Sequence, residues 1–267
     1  MKKVVIILAL MLTSTLTFAQ DAPAPAPAAE EPSSNLAIGV DVVYPYLWRG
    51  IRLNANKVAF QPYASYALTD KLTAGVWGTT NLSSEANAYN EFDWYLSYQA
   101  SSVVKISLSD YYYNNTKKSE LTRTNYWDYG KTGSQAIDLS IALNFADKGV
   151  PLDFQWNTLI AGNDYNASGD RNFSSYTELG YTQSIESAGV DLRFFAGAIL
   201  SKPSAYYLVD GFKFTNVGLN VSKAIKFSES FSLPVFVRYT YNDNGNYNKD
   251  GELKKSFVSG GMTFTIK

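Results

Sequence analysis

Residues Val190–Leu200 read VDLRFFAGAIL, and this stretch decides the fold class. Apolar side chains recur at every second position, and Asp191 and Arg193 stand between them. Side chains on a β-strand point alternately to its two faces, so a period of two gives one apolar and one polar face. The stretch is therefore predicted to be a strand with water on one side only.

The same alternation continues through most of the chain after residue 35, and no sustained helical period interrupts it. We predict about twelve strands, each close to the ten residues that a tilted membrane strand needs. The tenth is expected to contain a bulge near Asn216–Val217, where the alternation slips. The predicted spans are 36–48, 58–68, 72–81, 89–98, 103–113, 135–144, 152–161, 173–184, 190–200, 212–224, 231–242 and 255–266.

The predicted connections alternate in length. Residues 69–71 and 185–189 make tight turns, whereas segments such as 114–134 and 243–254 are long and polar. Short turns on one side and long loops on the other are typical of bacterial outer-membrane barrels. An even strand number then predicts that both termini are periplasmic. The longest loop, 114–134, is expected to lie outside the barrel; the alternative is that it folds into the mouth.

Charged side chains in the middle of the strands fall on the face opposite the apolar set. A Lys or Arg on the lipid face near the midplane costs about 2–4 kcal/mol, so this agreement favours a polar interior. The acids outnumber the bases, which predicts a weak preference for cations if the lumen is open; alternatively, the charges pair and plug it. The candidate lumen-lining residues are Asp41, Asp93, Lys105, Asp138, Asp153, Glu178, Asp191, Arg193 and Arg238.

A secreted soluble sandwich would also place its charges on the water-facing side. The aromatic residues argue against a sandwich. At one strand end, Tyr44, Tyr46 and Trp48 occupy the alternate positions predicted to face outward, and Tyr239 and Tyr241 do so at another. An aromatic girdle at the membrane interface requires this arrangement. The strands are also longer than the roughly five or six residues common in sandwiches. We therefore predict an all-β protein, a closed antiparallel transmembrane β-barrel.

The N-terminus predicts the compartment. In residues 1–20, Lys2 and Lys3 precede the apolar run Val4–Leu12 and a small-residue stretch, the pattern of a signal peptide. The run is shorter than the roughly 18 apolar residues of a membrane anchor. Residues 21–34, DAPAPAPAAEEPSS, form an extended spacer because alternating proline prevents helix and ladder formation. Residues 35–267 are the barrel, expected in the outer membrane of a Gram-negative-type bacterium.

Composition limits the chemistry. With no His and no Cys, the chain lacks the usual proton carrier and the usual activated thiol, so we predict no enzyme and assign no catalytic residue. Only oxygen ligands remain for a metal, and residues 242–250, NDNGNYNKD, lack the closing Glu of a calcium loop. We predict no metal and no cofactor. A net charge of −1 gives no reason to expect a nucleic-acid partner.

Arg49 and Arg52 flank Gly50 at the outer end of the first predicted strand and are the candidate pore-mouth residues. They could form a cationic rim that attracts anions. The alternative, which we favour, is that they pair with lipopolysaccharide phosphates or with nearby acids.

The segment VYPYLWRGIRL at Val43–Leu53, followed by QPYASYAL and LTAGVWGTTNL, resembles the TorF-type porins, a family of bacterial outer-membrane barrels. The resemblance is confined to about the first hundred residues, and its motif residues are Trp48, Arg49, Gly50, Gly75 and Trp77. It implies a barrel with channel function and identifies no solute.

Together these features predict a channel for passive diffusion of small solutes or ions. The alternative is a non-conducting outer-membrane barrel with a structural role or a binding role carried by its loops. The expected partners are outer-membrane lipid, lipopolysaccharide and the barrel-assembly machinery.

Overall fold

The computed structural model describes residues 35–54, 57–83, 89–113, 125–200, 203–228, 231–247 and 253–266. The predicted signal peptide and spacer lie outside these residues. Within them, the strands in chain order are β1 Leu36–Tyr44, β2 Leu47–Trp48, β3 Ile51–Arg52, β4 Ala59–Thr69, β5 Leu72–Thr80, β6 Asn90–Gln99, β7 Val104–Tyr113, β8 Gln135–Asn144, β9 Leu152–Gly162, β10 Ser175–Ile185, β11 Val190–Ile199, β12 Lys213–Lys226, β13 Ser232–Tyr247 and β14 Leu253–Ile266.

Twelve of these strands close into one antiparallel barrel. β1 and β4 to β14 each pair with their neighbours, and the ring closes where β1 pairs with both β4 and β14. The two remaining strands, β2 and β3, pair only with each other. The predicted fold class, strand number and alternation are confirmed. None of the helical turns in the described residues is long enough or apolar enough to cross a bilayer.

The predicted bulge in β12 is confirmed. Gly197 of β11 pairs with Asn216, whereas the next residue, Ala198, pairs with Phe214. Thr215 is therefore the extra residue, one position before the predicted slip. Because of this bulge, Thr215 and Asn216 are both buried.

The outward face of the barrel is apolar and the inward face is polar. On β13, Val237 and Tyr239 are exposed, while Arg238 and Thr240 between them are buried. A soluble protein has the opposite arrangement, with its apolar side chains inside. Apolar side chains outside and polar side chains inside are typical of a barrel surrounded by lipid. Closure of the barrel also leaves no strand edge with unpaired backbone groups. Other exposed apolar side chains on the strands are Leu68, Val76, Phe92, Leu96, Leu179, Phe194, Phe214 and Val258.

The two ends of the barrel differ, as predicted. One end has the short connections after β4, β6, β8, β10 and β12, together with the first and last described residues. The other end has the long connections 163–174 and 200–212. The predicted long connection 243–254 is wrong, because β13 continues to Tyr247 and β14 begins at Leu253. The membrane side on which each end lies stays a prediction.

The first strand is shorter than the predicted span 36–48. β1 ends at Tyr44 because Pro45 lacks the N–H that would continue the ladder. Tyr44 is exposed on the outer face, but Tyr46 and Trp48 are buried. The prediction that Tyr46 and Trp48 belong to an outward aromatic girdle is wrong, since the chain turns into the barrel after Pro45.

Candidate functional site

The connection between β1 and β4 folds back inside the barrel as a short hairpin, called here the inner hairpin (residues 46–54). Trp48 pairs with Ile51, and the two residues between them have positive φ angles, 50° at Arg49 and 77° at Gly50. Positive φ angles at both central residues are characteristic of the type I′ turn, which is common in two-residue hairpins. The motif residues Trp48, Arg49 and Gly50 therefore form the tip of an internal element.

The tip of the inner hairpin is pressed against the barrel wall. A Cβ atom added to Gly50 would overlap the backbone oxygen of Thr215 in the β12 bulge. The side-chain amide of Asn242 on β13 donates a hydrogen bond to the Gly50 carbonyl at 2.9 Å. Only glycine fits this position, both for its φ angle and for its contact with the wall.

The Arg49 side chain reaches the other side of the barrel. Its guanidinium forms an ion pair of 2.6 Å with Asp138 on β8 and donates a hydrogen bond to the Tyr207 hydroxyl. Tyr111 on β7 also donates to Asp138, at 3.3 Å. Arg49 is 3% exposed and Asp138 is fully buried. Because β8 and β13 are nearly opposite in the ring of twelve, the inner hairpin crosses the interior.

Aromatic rings fill the space around the tip. Trp48 stacks on Tyr207, with ring centres 5.3 Å apart and planes 11° apart. Edge contacts join Trp48 to Tyr111 at 5.9 Å and to Tyr206 at 6.1 Å. Tyr206 and Tyr207 come from the connection between β11 and β12, so two long connections meet inside the barrel and narrow it.

A second group of hydrogen-bonded ionisable side chains lies in the interior. Arg193 donates to Asp153 at 3.0 Å and 2.5 Å and to Glu178 at 2.7 Å. Gly180 lies beside them, and a Cβ atom there would overlap the Asp153 carboxylate and the Arg193 guanidinium. One guanidinium thus binds two carboxylates by charge-assisted hydrogen bonds.

Several aromatic rings lie flat on the interior wall over glycines of the neighbouring strand. The Tyr95 ring covers Gly75, one of the predicted motif residues, so closely that a Cβ atom at Gly75 would overlap it. Because glycine has no side chain, the Tyr95 ring lies against the wall at this position and does not project toward the barrel axis. The same relation joins Tyr63 to Gly39, Tyr176 to Gly197, Phe195 to Gly218 and Phe236 to Gly261.

All nine predicted lumen residues occupy strand positions whose side chains point to the barrel interior. Their side chains alternate with exposed apolar neighbours, for example Arg193 with Phe194 and Arg238 with Val237. The structure thus assigns them to the interior, while a role in lining a conducting path stays a prediction. They are Asp41, Asp93, Lys105, Asp138, Asp153, Glu178, Asp191, Arg193 and Arg238.

The predicted pore-mouth residues lie elsewhere than expected. Arg49 lies in the barrel interior, paired with Asp138, because the chain carrying it turns inward at Pro45. A cationic rim that includes Arg49 is therefore wrong, and the expected pairing with a nearby acid is found. Arg52 is partly exposed on the inner hairpin, with its guanidinium 5.7 Å from the Phe257 ring centre.

Sequence reasoning missed an acid on the outward face. Asp110 of β7 pairs with Trp94 and Ile137 on the lipid-facing phase, yet it is fully buried. It is covered by residues 125–134, called here the outer strap, whose Tyr129 donates to Asp110 at 2.5 Å. Burial and this hydrogen bond raise the pKa of Tyr129, which keeps the phenol protonated as the donor.

The outer strap makes further contacts with the same wall. The Tyr126 ring lies 4.9 Å from that of Tyr112, and Gln135 donates to the Tyr126 carbonyl. Trp127 beside them is 70% exposed. The described part of the 114–134 loop therefore lies outside the barrel, as expected; residues 114–124 of that loop lie outside the described residues.

Comparison with known proteins gives a family match and a fold match. Residues 28–148 match the model of a family described as "Bacterial protein of unknown function (Gcw_chp)". The match contains the inner hairpin and strands β1 to β8. No curated protein matches the sequence.

Among solved structures, the chain is similar to the NanC porin, with a TM-score of 0.52 and 11% identity over 86% of this chain and 99% of that chain. This likeness shows a shared barrel fold. A Pseudomonas aeruginosa FadL homologue follows, with 10% identity, 86% and 74% coverage and a TM-score of 0.39. An OccD1 (OprD) variant has 13% identity, 94% and 72% coverage and a TM-score of 0.36.

Proposed function

We propose that this protein is an outer-membrane channel for passive diffusion of small solutes or ions, with a weak preference for cations. The observation that carries the proposal is the inverted polarity of a closed barrel, with exposed apolar side chains outside and buried ionisable side chains inside. Lipid must surround such a surface, and an interior lined by charges is stable only when water or ion pairs satisfy it.

The interior charge supports the cation preference. Among the barrel-interior side chains that the structure describes, the six predicted acids are accompanied by Glu91, and the three predicted bases are accompanied by Arg49. The acids still outnumber the bases. A low-dielectric wall focuses the resulting negative potential along the lumen. The flat placement of Tyr95 and its counterparts on glycines supports a path beside the inner hairpin.

We also propose how the protein reaches the outer membrane. Residues 1–20 would direct export, the barrel-assembly machinery would insert the strands, and the long connections would face lipopolysaccharide. We further propose kinship with the TorF-type porins, whose motif residues would shape the inner hairpin and the Gly75–Tyr95 wall contact. The solute is a small molecule or ion of unassigned identity, and no catalytic step is part of the proposal.

Planar-bilayer recording with purified, refolded mature protein tests the proposal. We expect small unitary currents and, in a KCl gradient, a reversal potential that indicates cation preference. An absence of unitary current across several salts would overturn the channel function. A reversal potential of the opposite sign would overturn the preference only.

A non-conducting barrel is the second candidate, because the inner hairpin crosses the interior and is pinned on both sides. A variant in which a two-residue turn replaces residues 46–53 separates the two. If the intact protein is silent and this variant conducts, the barrel is a plugged one. If both conduct and the variant has the larger unitary current, the hairpin narrows an open channel.

A further inference from the structure

Two carboxylates on β6 lie inside the barrel and have no basic partner among the residues that the structure describes. Glu91 and Asp93 are two positions apart, so both project to the interior face of the strand. Glu91 accepts a hydrogen bond from the Tyr89 hydroxyl at 3.0 Å, and Asp93 accepts one from the backbone N–H of Tyr112 at 3.2 Å. Neither forms an ion pair with any residue that the structure describes.

The other interior acids that the structure describes fall into two groups: Asp41 and Asp191 accept hydrogen bonds from Thr263 and Ser184 without an ion pair, and the remaining three form ion pairs. Asp138 is paired with Arg49, and Asp153 and Glu178 share the single positive charge of Arg193. Burying a carboxylate without a counter-charge costs several kcal/mol, so a buried acid without a base is stabilised either by a bound proton or by a cation.

Two buried oxygen atoms here, one of Asp93 and one of Thr79, have no hydrogen-bond partner in the described part of the chain. Oδ2 of Asp93 accepts no hydrogen bond, and Asp93 is 2% exposed. Thr79 on β5 is directly opposite Glu91, and its hydroxyl is buried and unpartnered. Directly opposite residues have Cβ atoms about 4.5–5.5 Å apart, and residues two positions apart on a strand are neighbours on the same face, so Thr79, Glu91 and Asp93 form one cluster on the interior wall.

Aromatic rings surround this cluster. Trp77 and Tyr111 are the cross-strand neighbours of Asp93, and the Tyr46 ring of the inner hairpin lies 5.9 Å from Trp77 and 6.1 Å from Tyr89. These rings supply no base to balance the carboxylates. They also displace part of the water around the carboxylates, which strengthens the attraction of the cluster for a cation.

We propose that Glu91, Asp93 and Thr79 form a binding site for an oxygen-preferring metal cation such as Na⁺ or Ca²⁺. The inference rests on the proposed channel function and gives its cation preference a location, on the β5–β6 wall beside Tyr46 of the inner hairpin. Hard cations take carboxylate and hydroxyl oxygens as ligands and complete their shells with water. With few protein ligands the site exchanges its ion readily, as a permeation path requires.

Stability measurements on the full-length mature protein in detergent test the site with Ca²⁺ as the probe. A ligand that binds only the folded state stabilises it, so Ca²⁺ is expected to raise the urea midpoint of the wild type. It is expected to have no such effect on the Glu91→Gln/Asp93→Asn double variant. Asp191→Asn removes one interior carboxylate elsewhere and should keep the full response to Ca²⁺. An equal response in wild type and double variant would overturn the site.

Tb³⁺ luminescence gives a direct binding readout, because Trp77 lies beside Asp93 and can sensitise a lanthanide bound there. We expect the double variant to bind Tb³⁺ at least about tenfold more weakly, a loss of about 1.4 kcal/mol. Should the double variant fail to fold, Thr79→Val keeps both carboxylates and should still weaken binding. Sensitised emission that is the same in wild type and variants would also overturn the site.

Bilayer recording separates failure of the site from failure of the channel. If the wild type conducts but the double variant keeps both its cation selectivity and its Tb³⁺ affinity, the site is wrong and the channel stands. If the wild type is silent but loses Tb³⁺ binding on substitution, the site stands and the channel function is wrong.

Discussion

Arg49 and Asp138 form an ion pair of 2.6 Å inside the barrel, although 89 positions separate them in the chain. The pair joins the tip of the inner hairpin to β8, across the interior from the hydrogen bond between Asn242 and Gly50. The Arg49 backbone has a φ of 50°, which costs energy in a residue with a side chain. The surrounding contacts hold that conformation in place.

The first prediction concerns this ion pair. Asp138→Ala leaves the Arg49 guanidinium buried without its counter-charge, which should lower the free energy of unfolding by about 3–5 kcal/mol. Urea titration of the refolded protein in vesicles measures the loss. Arg49→Met/Asp138→Leu removes both charges and should cost far less, because no uncompensated ion remains. Equal losses in the single and the double variant would contradict the role assigned to the pair.

The second prediction concerns the glycine at the hairpin tip. Gly50→Ala adds a Cβ atom that would overlap the Thr215 carbonyl, so the tip should leave the wall and widen the lumen. Larger unitary conductance in bilayers is the expected result. Gly149→Ala is a matched control: Gly149 has a similar φ of 73°, but nothing lies within 4 Å of the added atom. It should cost only about 1–2 kcal/mol of backbone strain and leave the conductance unchanged.

The barrel strands could be predicted from the sequence because their signal is local. Alternation along each strand fixes which residues face lipid, and this was sufficient to assign Asp153, Arg193 and Arg238 to the interior. Closure requires no further information, since an open sheet edge is not stable in lipid. The bulge in β12 was visible for the same reason, because an extra residue shifts the alternation.

The inner hairpin could not be predicted, because the contacts that hold it in place are made by residues far away in the sequence. Tyr46 and Trp48 continue the alternation of β1, and their burial depends on partners such as Tyr207 far along the chain. Pro45 was the one available signal, since proline is disfavoured in a central strand, although β4 contains Pro62. Arg49 does not identify a type I′ turn, which usually has Asn, Asp or Gly at that position. Asp110 was missed likewise, because the outer strap that covers it is distant in sequence.

The third prediction concerns the flat aromatic rings on the interior wall. Gly75→Val should push the Tyr95 ring away from the wall and into the lumen, and so reduce the unitary conductance. Gly75→Val/Tyr95→Ala removes the displaced ring and should restore most of the current. If the single variant conducts like the wild type while the protein remains folded, Tyr95 does not border the path of the ions.

The fourth prediction concerns the outer strap. Tyr129→Phe removes the hydrogen bond at 2.5 Å to the buried Asp110 carboxylate, at a cost of about 1–3 kcal/mol. The strap should then detach more often, which limited trypsin digestion at Lys131 reports as faster cleavage. Tyr129→Phe/Asp110→Leu replaces both polar groups with apolar ones on a lipid-facing strand and should bring cleavage back toward the wild-type rate. Unchanged cleavage in Tyr129→Phe would mean that other contacts hold the strap.

The fifth prediction tests which face of the strands touches lipid. Val237 on β13 is 58% exposed, and its neighbours Val221 and Gly260 face the same way. Val237→Lys places a charge on the outer face of a strand, which costs about 2–4 kcal/mol near the bilayer midplane. Leu82 is 73% exposed in the connection after β5, outside the strands, so Leu82→Lys should cost almost nothing. Urea titration in vesicles measures both variants. If Val237→Lys is as stable as Leu82→Lys, that face of β13 is in contact with water, and the barrel does not lie in a membrane as proposed.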